Sequence, residues 1–184
     1  MNSMLDIKVL GEDVLRKKAE PVSEITPDLL ELAQQMLDTM YEAPGVGLAA
    51  PQVGKSIRLV VVDPDYREED EYGERKHNPI ILFNPEITPA DDAEPEEDEE
   101  GCLSVPDIYA SVTRPDKIHL KYLNTDGETV EMQNVDGFLP RVVQHECDHL
   151  DGVLFVDKIS AAERALNASK LKKLARRKSA KATR

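Results

Sequence analysis

Gly137-Phe138-Leu139-Pro140-Arg141-Val142-Val143-Gln144-His145-Glu146-Cys147-Asp148-His149-Leu150-Asp151-Gly152 is the stretch on which the fold turns. Pro140 suits a first helical turn, where its missing N–H costs little, and Asp151-Gly152 makes a stop, so the spacing predicts a helix from Gly137 to about Leu150. Residues four apart lie one above the other on a helix. His145 and His149 therefore present two imidazoles to one ion, with Glu146 close enough to hold a water there. Two histidines leave the shell incomplete, because a catalytic ion commonly takes three protein ligands and keeps one position open. Continuing the pattern as extended metallopeptidases do puts Phe155 where a third histidine belongs. Two donors remain: Glu163, in a predicted C-terminal helix, and Cys102, within Glu100-Gly101-Cys102-Leu103-Ser104. A Glu163 ligand would leave the cysteine string without a role, and a thiolate binds zinc or ferrous iron strongly. Cys102 is the better candidate. Cys147 lies roughly 200° around the helix from His145 and reads as packing.

Outward from this helix, Pro27 to about Tyr41 carries Leu29, Leu32, Met36, Leu37 and Met40 at helical spacing, with Thr26 as its start. Ile57 to Val62 and Ile80 to Phe83 read as strands. Lys117 to Leu123 alternates, and Asn124-Thr125-Asp126-Gly127 turns it into Thr129 to Val135, which predicts a hairpin. His119 then falls on a solvated strand face, and neither it nor His77 is a ligand candidate. A last helix is expected from Ala161 to about Lys178. The string Gly45-Val46-Gly47-Leu48-Ala49-Ala50-Pro51-Gln52 superficially matches a dinucleotide fingerprint, but it follows a helix rather than a strand and lacks the lysine of a phosphate loop. It reads as a loop whose missing side chains let a substrate backbone approach and pair as an added strand. The expected class is α+β: a single domain over residues 1–184, with antiparallel or mixed sheets around a central helix carrying the metal motif, plus a C-terminal helix.

Composition narrows the function. A chain of 184 residues with 40% hydrophobic content suits one core. The N-terminal residues lack the apolar core of a secretion signal and no apolar run approaches a spanning helix, so the expectation is a cytoplasmic protein with no membrane contact. Two cysteines make a poor disulfide framework and suit a reducing compartment. The net charge of -13 disfavours DNA as a partner. Residues 63–100 alone hold sixteen carboxylates against three basic groups and read as a solvated acidic loop. Lys170 to Arg184 carries eight basic residues and no acid. It reads as the solvated end of a basic helix and tail over about 161–184, or as a contact for ribosomal RNA.

Three strings, Gly45 to Gln52, Glu100 to Ser104 and Gln144 to His149, together resemble the peptide deformylase family, in family order and across nearly the whole chain. The resemblance implies hydrolytic removal of the formyl group from N-formylmethionine on nascent chains, with release of formate. It implies Cys102, His145 and His149 as ligands of one divalent ion, usually Fe2+, with Zn2+, Ni2+ or Co2+ as substitutes. Glu146 would be general base and acid, while the Leu103 N–H and the Gln52 amide would face the oxyanion. Gly45, Val46 and Gly47 would bind substrate, Val46 lining the methionine pocket. Glu100 or Asp148 would orient a histidine; Gln144 has no assigned role. Two positions depart from the commonest bacterial pattern. Tyr109 stands where many members carry an arginine, and Arg141 where an apolar pocket residue is frequent. Two competing readings remain: a metallopeptidase with Glu163 as third ligand, and a catalytically silent module that binds the ribosome.

Overall fold

The first helix starts where the sequence says it should. The Thr26 hydroxyl accepts from Leu29 N at 3.4 Å and Pro27 takes the first helical position, opening α1 (Pro27–Glu42). Its apolar stripe drives Ala33, Met36, Leu37 and Met40 out of water. Burial of each large member contributes about 1.5–3 kcal/mol. The computed structural model describes residues 4–69 and 72–181.

After α1 the chain lays down β1 (Gly47–Ala49), β2 (Leu59–Val62), β3 (Ile80–Pro89), β4 (Pro95–Cys102), β5 (Val105–Pro115), β6 (Ile118–Leu123) and β7 (Thr129–Val135). Then come α2 (Leu139–Leu150) and α3 (Ala161–Lys181). Five strands form an antiparallel sheet in the order β1-β2-β3-β6-β7, while β4 and β5 make a separate hairpin. The anticipated β6–β7 hairpin is present. α2 lies at the centre of the molecule: it packs on β1, β2 and β5, and Val142, Val143, Cys147 and Leu150 fill a core with Val60, Val62, Leu82 and Leu120. α1 covers β2 from the other side through a second cluster. A third joins β5 to α3 through Ile108, Val112, Phe155 and Leu174. The described residues contain no helix long and apolar enough to cross a membrane.

The structure departs from the sequence reading in three places. Gly47–Ala49 is a strand at the edge of the main sheet rather than loop, followed by a 3₁₀ turn at Ala50–Val53. Its three residues pair with Val60, Val61 and Val62, and a run so short carries no alternation to read. The acidic stretch 63–100 is not one loop: β3 extends to Pro89, and Pro95–Cys102 forms β4. β4 is exposed except at buried Glu100 and half-buried Cys102, and gains its order from its partner β5. β5 itself was not anticipated. Its inward face, Ile108, Ala110, Val112 and Arg114, ends in a charge, which breaks the apolar alternation.

A buried anchor begins the segment between β2 and β3. Asp63, fully buried, accepts from the Tyr41 hydroxyl (2.7 Å) and Asn78 N (2.9 Å) through Oδ2, and from Asp65 N (3.2 Å) and Tyr66 N (3.1 Å) through Oδ1. His77 packs among Tyr41 and Tyr66, an aromatic rather than a ligating role.

Candidate metal centre

α2 places His145 and His149 one turn apart, their ring centroids 5.2 Å from each other. At the end of β4 the register slips between Gly101 and Cys102, and the chain turns into β5. That turn delivers Cys102 Sγ to 3.3 Å from His149 Nε2. Ligand atoms of Cys102, His145 and His149 lie within 4.8 Å of one another, the one such group among the described residues. Thiolate and two imidazoles form a donor set suited to zinc or ferrous iron, with room for water or substrate in a fourth position. The three residues fit an ion.

Glu100 orients the first histidine. His145 Nδ1 lies 2.9 Å from Glu100 Oε2, which makes Nδ1–H the donor and leaves the other ring nitrogen for an ion. Arg114 grips the same carboxylate twice, Nε to Oε1 at 2.6 Å and Nη2 to Oε2 at 2.9 Å, and reaches Asp148 Oδ2 at 2.8 Å. Burial alone would raise the Glu100 pKa, but hydrogen bonds from Arg114 and His145 outweigh it and bring it to about 2. Arg141 Nη1 adds a further bond to Oε1 at 2.9 Å. The two histidines diverge. Burial works against the charged form of both, but hydrogen bonds to Cys102 and Glu100 carry His145 well above its ordinary value, whereas His149 stays well below.

Over this centre opens a cavity of about 450 Å³, lined by Gly45, Val46, Gly47, Gln52, Leu103 and Glu146 among others. His149 lies beneath it, 1% exposed. Burial lifts Glu146 to about 7, the charge of Glu100 assisting and His145 opposing. Its buried Oε2 has no hydrogen-bond partner among the described residues, which leaves it able to bond a water. Gln52 is fixed by its neighbours: Oε1 accepts from Ala49 N at 2.8 Å, so Nε2 points to Ser104 Oγ (3.1 Å) and Cys102 Sγ (3.5 Å). Gly47 carries no side chain because Glu146 occupies the space: a Cβ there would lie 2.5 Å from Oε1. Tyr109, 66% exposed at the cavity mouth, rests its ring on Gly101.

Other residues fall elsewhere. Glu163 lies in the first turn of α3, where its N–H donates to Ser160 Oγ at 3.1 Å and its carboxylate accepts from Ser111 N at 2.9 Å, outside the ligand group. Gln144 donates to the carbonyls of Pro115 and Pro140 and is structural. Cys147 is buried in the main core, its thiol pushed up to about 12 by burial. The residue that sequence reasoning missed is Arg114. A lone arginine closing the apolar face of β5, opposite a glutamate-rich segment, was its signal.

Residues 4–165 match the protein-family model described as polypeptide deformylase. A peptide deformylase of Thermotoga maritima is 45% identical over 173 residues, covering 94% of this chain and 98% of that relative. The crystal structure of a Synechococcus elongatus peptide deformylase in complex with actinonin has a TM-score of 0.77 at 40% identity, over 95% of this chain and 88% of the other. A plant peptide deformylase superposes with a TM-score of 0.85 at 33% identity, over 97% and 92% of the two chains.

Proposed function

The chain belongs to the polypeptide deformylase family, metal-dependent hydrolases that remove the formyl group from N-terminal formylmethionine, and from that premise we propose how its own residues divide the work. Cys102, His145 and His149 hold the ion, and ferrous iron is the ion we propose, with zinc, nickel or cobalt able to replace it. When bound, such an ion supplies Lewis acidity, making a water a stronger acid and a carbonyl carbon a better electrophile. Glu146 takes the proton from water as its oxygen adds to the formyl carbon. It then gives that proton to the departing amine, so formate and a free N-terminus leave together. The Gln52 amide and the Leu103 N–H donate to the carbonyl oxygen as charge gathers there. Losing one donor of this kind costs about 3 kcal/mol of transition-state stabilisation.

Substrate approach follows from the sheet. β1 is an edge strand, and we propose that the formylated chain lines up beside Gly45, Val46 and Gly47 as an added strand, its methionine side chain against Val46. We also propose a cytoplasmic enzyme that meets nascent chains at the ribosome through the basic segment Lys170–Arg184, a contact read out by salt-sensitive co-sedimentation.

The observation that carries the reading is the convergence of Cys102, His145 and His149 beneath a cavity lined by Glu146. Its test is formate release from a formylmethionyl peptide by nickel-loaded or anaerobic ferrous protein, set beside Glu146→Gln. The variant should keep its metal and lose about 10²–10⁴-fold in turnover; near-normal turnover would remove Glu146 from the proton-transfer role.

A further inference from the structure

Two separate pieces of the fold supply the proposed ligands: Cys102 comes from the β4–β5 hairpin, His145 and His149 from α2. The hairpin is not part of the main sheet, so no strand ladder fixes its distance from the helix. Side chains must do it. Arg141 stands on α2 four residues, about one turn, ahead of His145, and is 5% exposed. Its Nη1 donates to Glu100 Oε1 (2.9 Å) and to Val112 O (3.0 Å), and its Nη2 donates to Glu96 O (2.8 Å). One guanidinium thus ties the helix to both strands of the hairpin, and on β4 its two anchor points precede Cys102.

Charge balance does not require this residue. Arg114 already engages both oxygens of Glu100 and also reaches Asp148 on α2. Beyond a long ion pair to the exposed Glu96 carboxylate (3.6 Å), what Arg141 adds is two bonds to backbone carbonyls, which carry no net charge and fix position instead. A planar fork with its donors in set directions suits that task, whereas an ammonium on a flexible stem does not.

We infer that Arg141 is a positioning residue that sets the spacing between the thiolate-bearing hairpin and the imidazole-bearing helix, and thereby how firmly the centre holds a divalent ion. The inference rests on the ligand assignment proposed above, and the experiment separates the two. Wild-type protein, Arg141→Met and Arg141→Lys are loaded with cobalt, and two quantities are followed: the thiolate-to-cobalt absorption band and the rate at which excess chelator strips the ion. Altered support of a ligand typically changes metal affinity by 10–100-fold. Arg141→Met should therefore release cobalt about tenfold faster or more, with a shifted band, and Arg141→Lys should fall between it and wild type. Release within about twofold of wild type and an unmoved band would overturn the inference, even if the metal-free variant melts earlier, since that pattern is packing alone. If Arg141→Met does not fold, Arg141→Lys decides on the same readouts; failure of both to fold also overturns it. Absence of the thiolate band in wild type would instead reject the ligand assignment, and the inference with it.

Discussion

Replacing Gly47 by alanine tests the site with a single methyl group. The Gly47 backbone is outside the left-handed region, so alanine meets no conformational penalty. The cost lies in what the methyl meets: Oε1, Cγ and Cδ of Glu146 at 2.5, 2.8 and 2.9 Å. Ordinary contact begins at 3.4 Å, so the carboxylate must retreat by roughly half to one ångström. Glu146 is 5% exposed and rooted in a packed helix, so its carboxylate can retreat only into the cavity it lines, away from the position it holds in the structure. A misplacement of about 1 Å in a reacting group costs about 10²-fold in rate, equivalent to about 2.7 kcal/mol of barrier. The three atoms nearest that methyl all belong to Glu146 rather than to a ligand, so metal content should stay at the wild-type value. The assay is formate release under saturating formylmethionyl peptide, normalised to bound metal. A Gly47→Ala enzyme with full metal and turnover within threefold of wild type would refute the reasoning, because it would show that Glu146 need not stand where the structure has it.

Cys102→Ala should abolish tight binding of one equivalent of metal, and with it the rise in melting temperature that added nickel produces in wild type; a retained equivalent would return the third ligand to some other residue. Leu174→Ala should cost about 2–3 kcal/mol in urea unfolding, since Leu174 is 7% exposed in the cluster between α3 and β5; a loss under about 0.5 kcal/mol would mean that α3 is not docked there. Truncation before Lys170 removes this leucine as well, so it should destabilise the domain rather than only trim a tail. Asp157 is held below its ordinary value: burial opposes this, but hydrogen bonds from Arg16 and Leu154 N outweigh it. A depressed carboxylate stabilises the fold above its unfolded pKa and loses that contribution as pH falls through the folded value. Asp157→Asn should therefore lower stability by about 0.5–1 kcal/mol at pH 7, a half-exposed pair being partly screened, and the gap should close as pH falls below the ordinary aspartate range and on through the lower folded value. A gap that persists at low pH would assign the effect to shape rather than charge.

How much was legible followed how local each signal is. His145, Glu146 and His149 sit within one helical turn, so their relation could be read from spacing alone. Thr26 and Pro27 announced α1 in the same way. Cys102 had to be joined to them across the whole β5–β7 region, and a recognisable flanking string rather than any periodicity made the link. The Glu100–Arg114–Arg141 network was not legible, because its members come from β4, β5 and α2 and meet only after packing. β4 was hidden for a related reason. Its acidic composition describes its exposed surface, whereas its order comes from hydrogen bonds to β5, and backbone pairing leaves no mark on composition. The glycine at position 47 was readable as room for a substrate backbone, but not as room for Glu146, which fills the space beside it only in the fold.

The buried carboxylate of Asp63 has a consequence for how this chain can be altered. It secures the backbone at Asp65 and Tyr66 on one side and at Asn78 on the other, so the ends of that excursion are pinned independently of its length. Each doubling of a flexible loop adds only about 0.6 kcal/mol of closure cost. New sequence between those pins, around Tyr72 and Gly73, should therefore leave β2, β3 and the metal centre undisturbed. That makes the excursion a graft point for a fluorophore, an affinity tag or a tether to another protein.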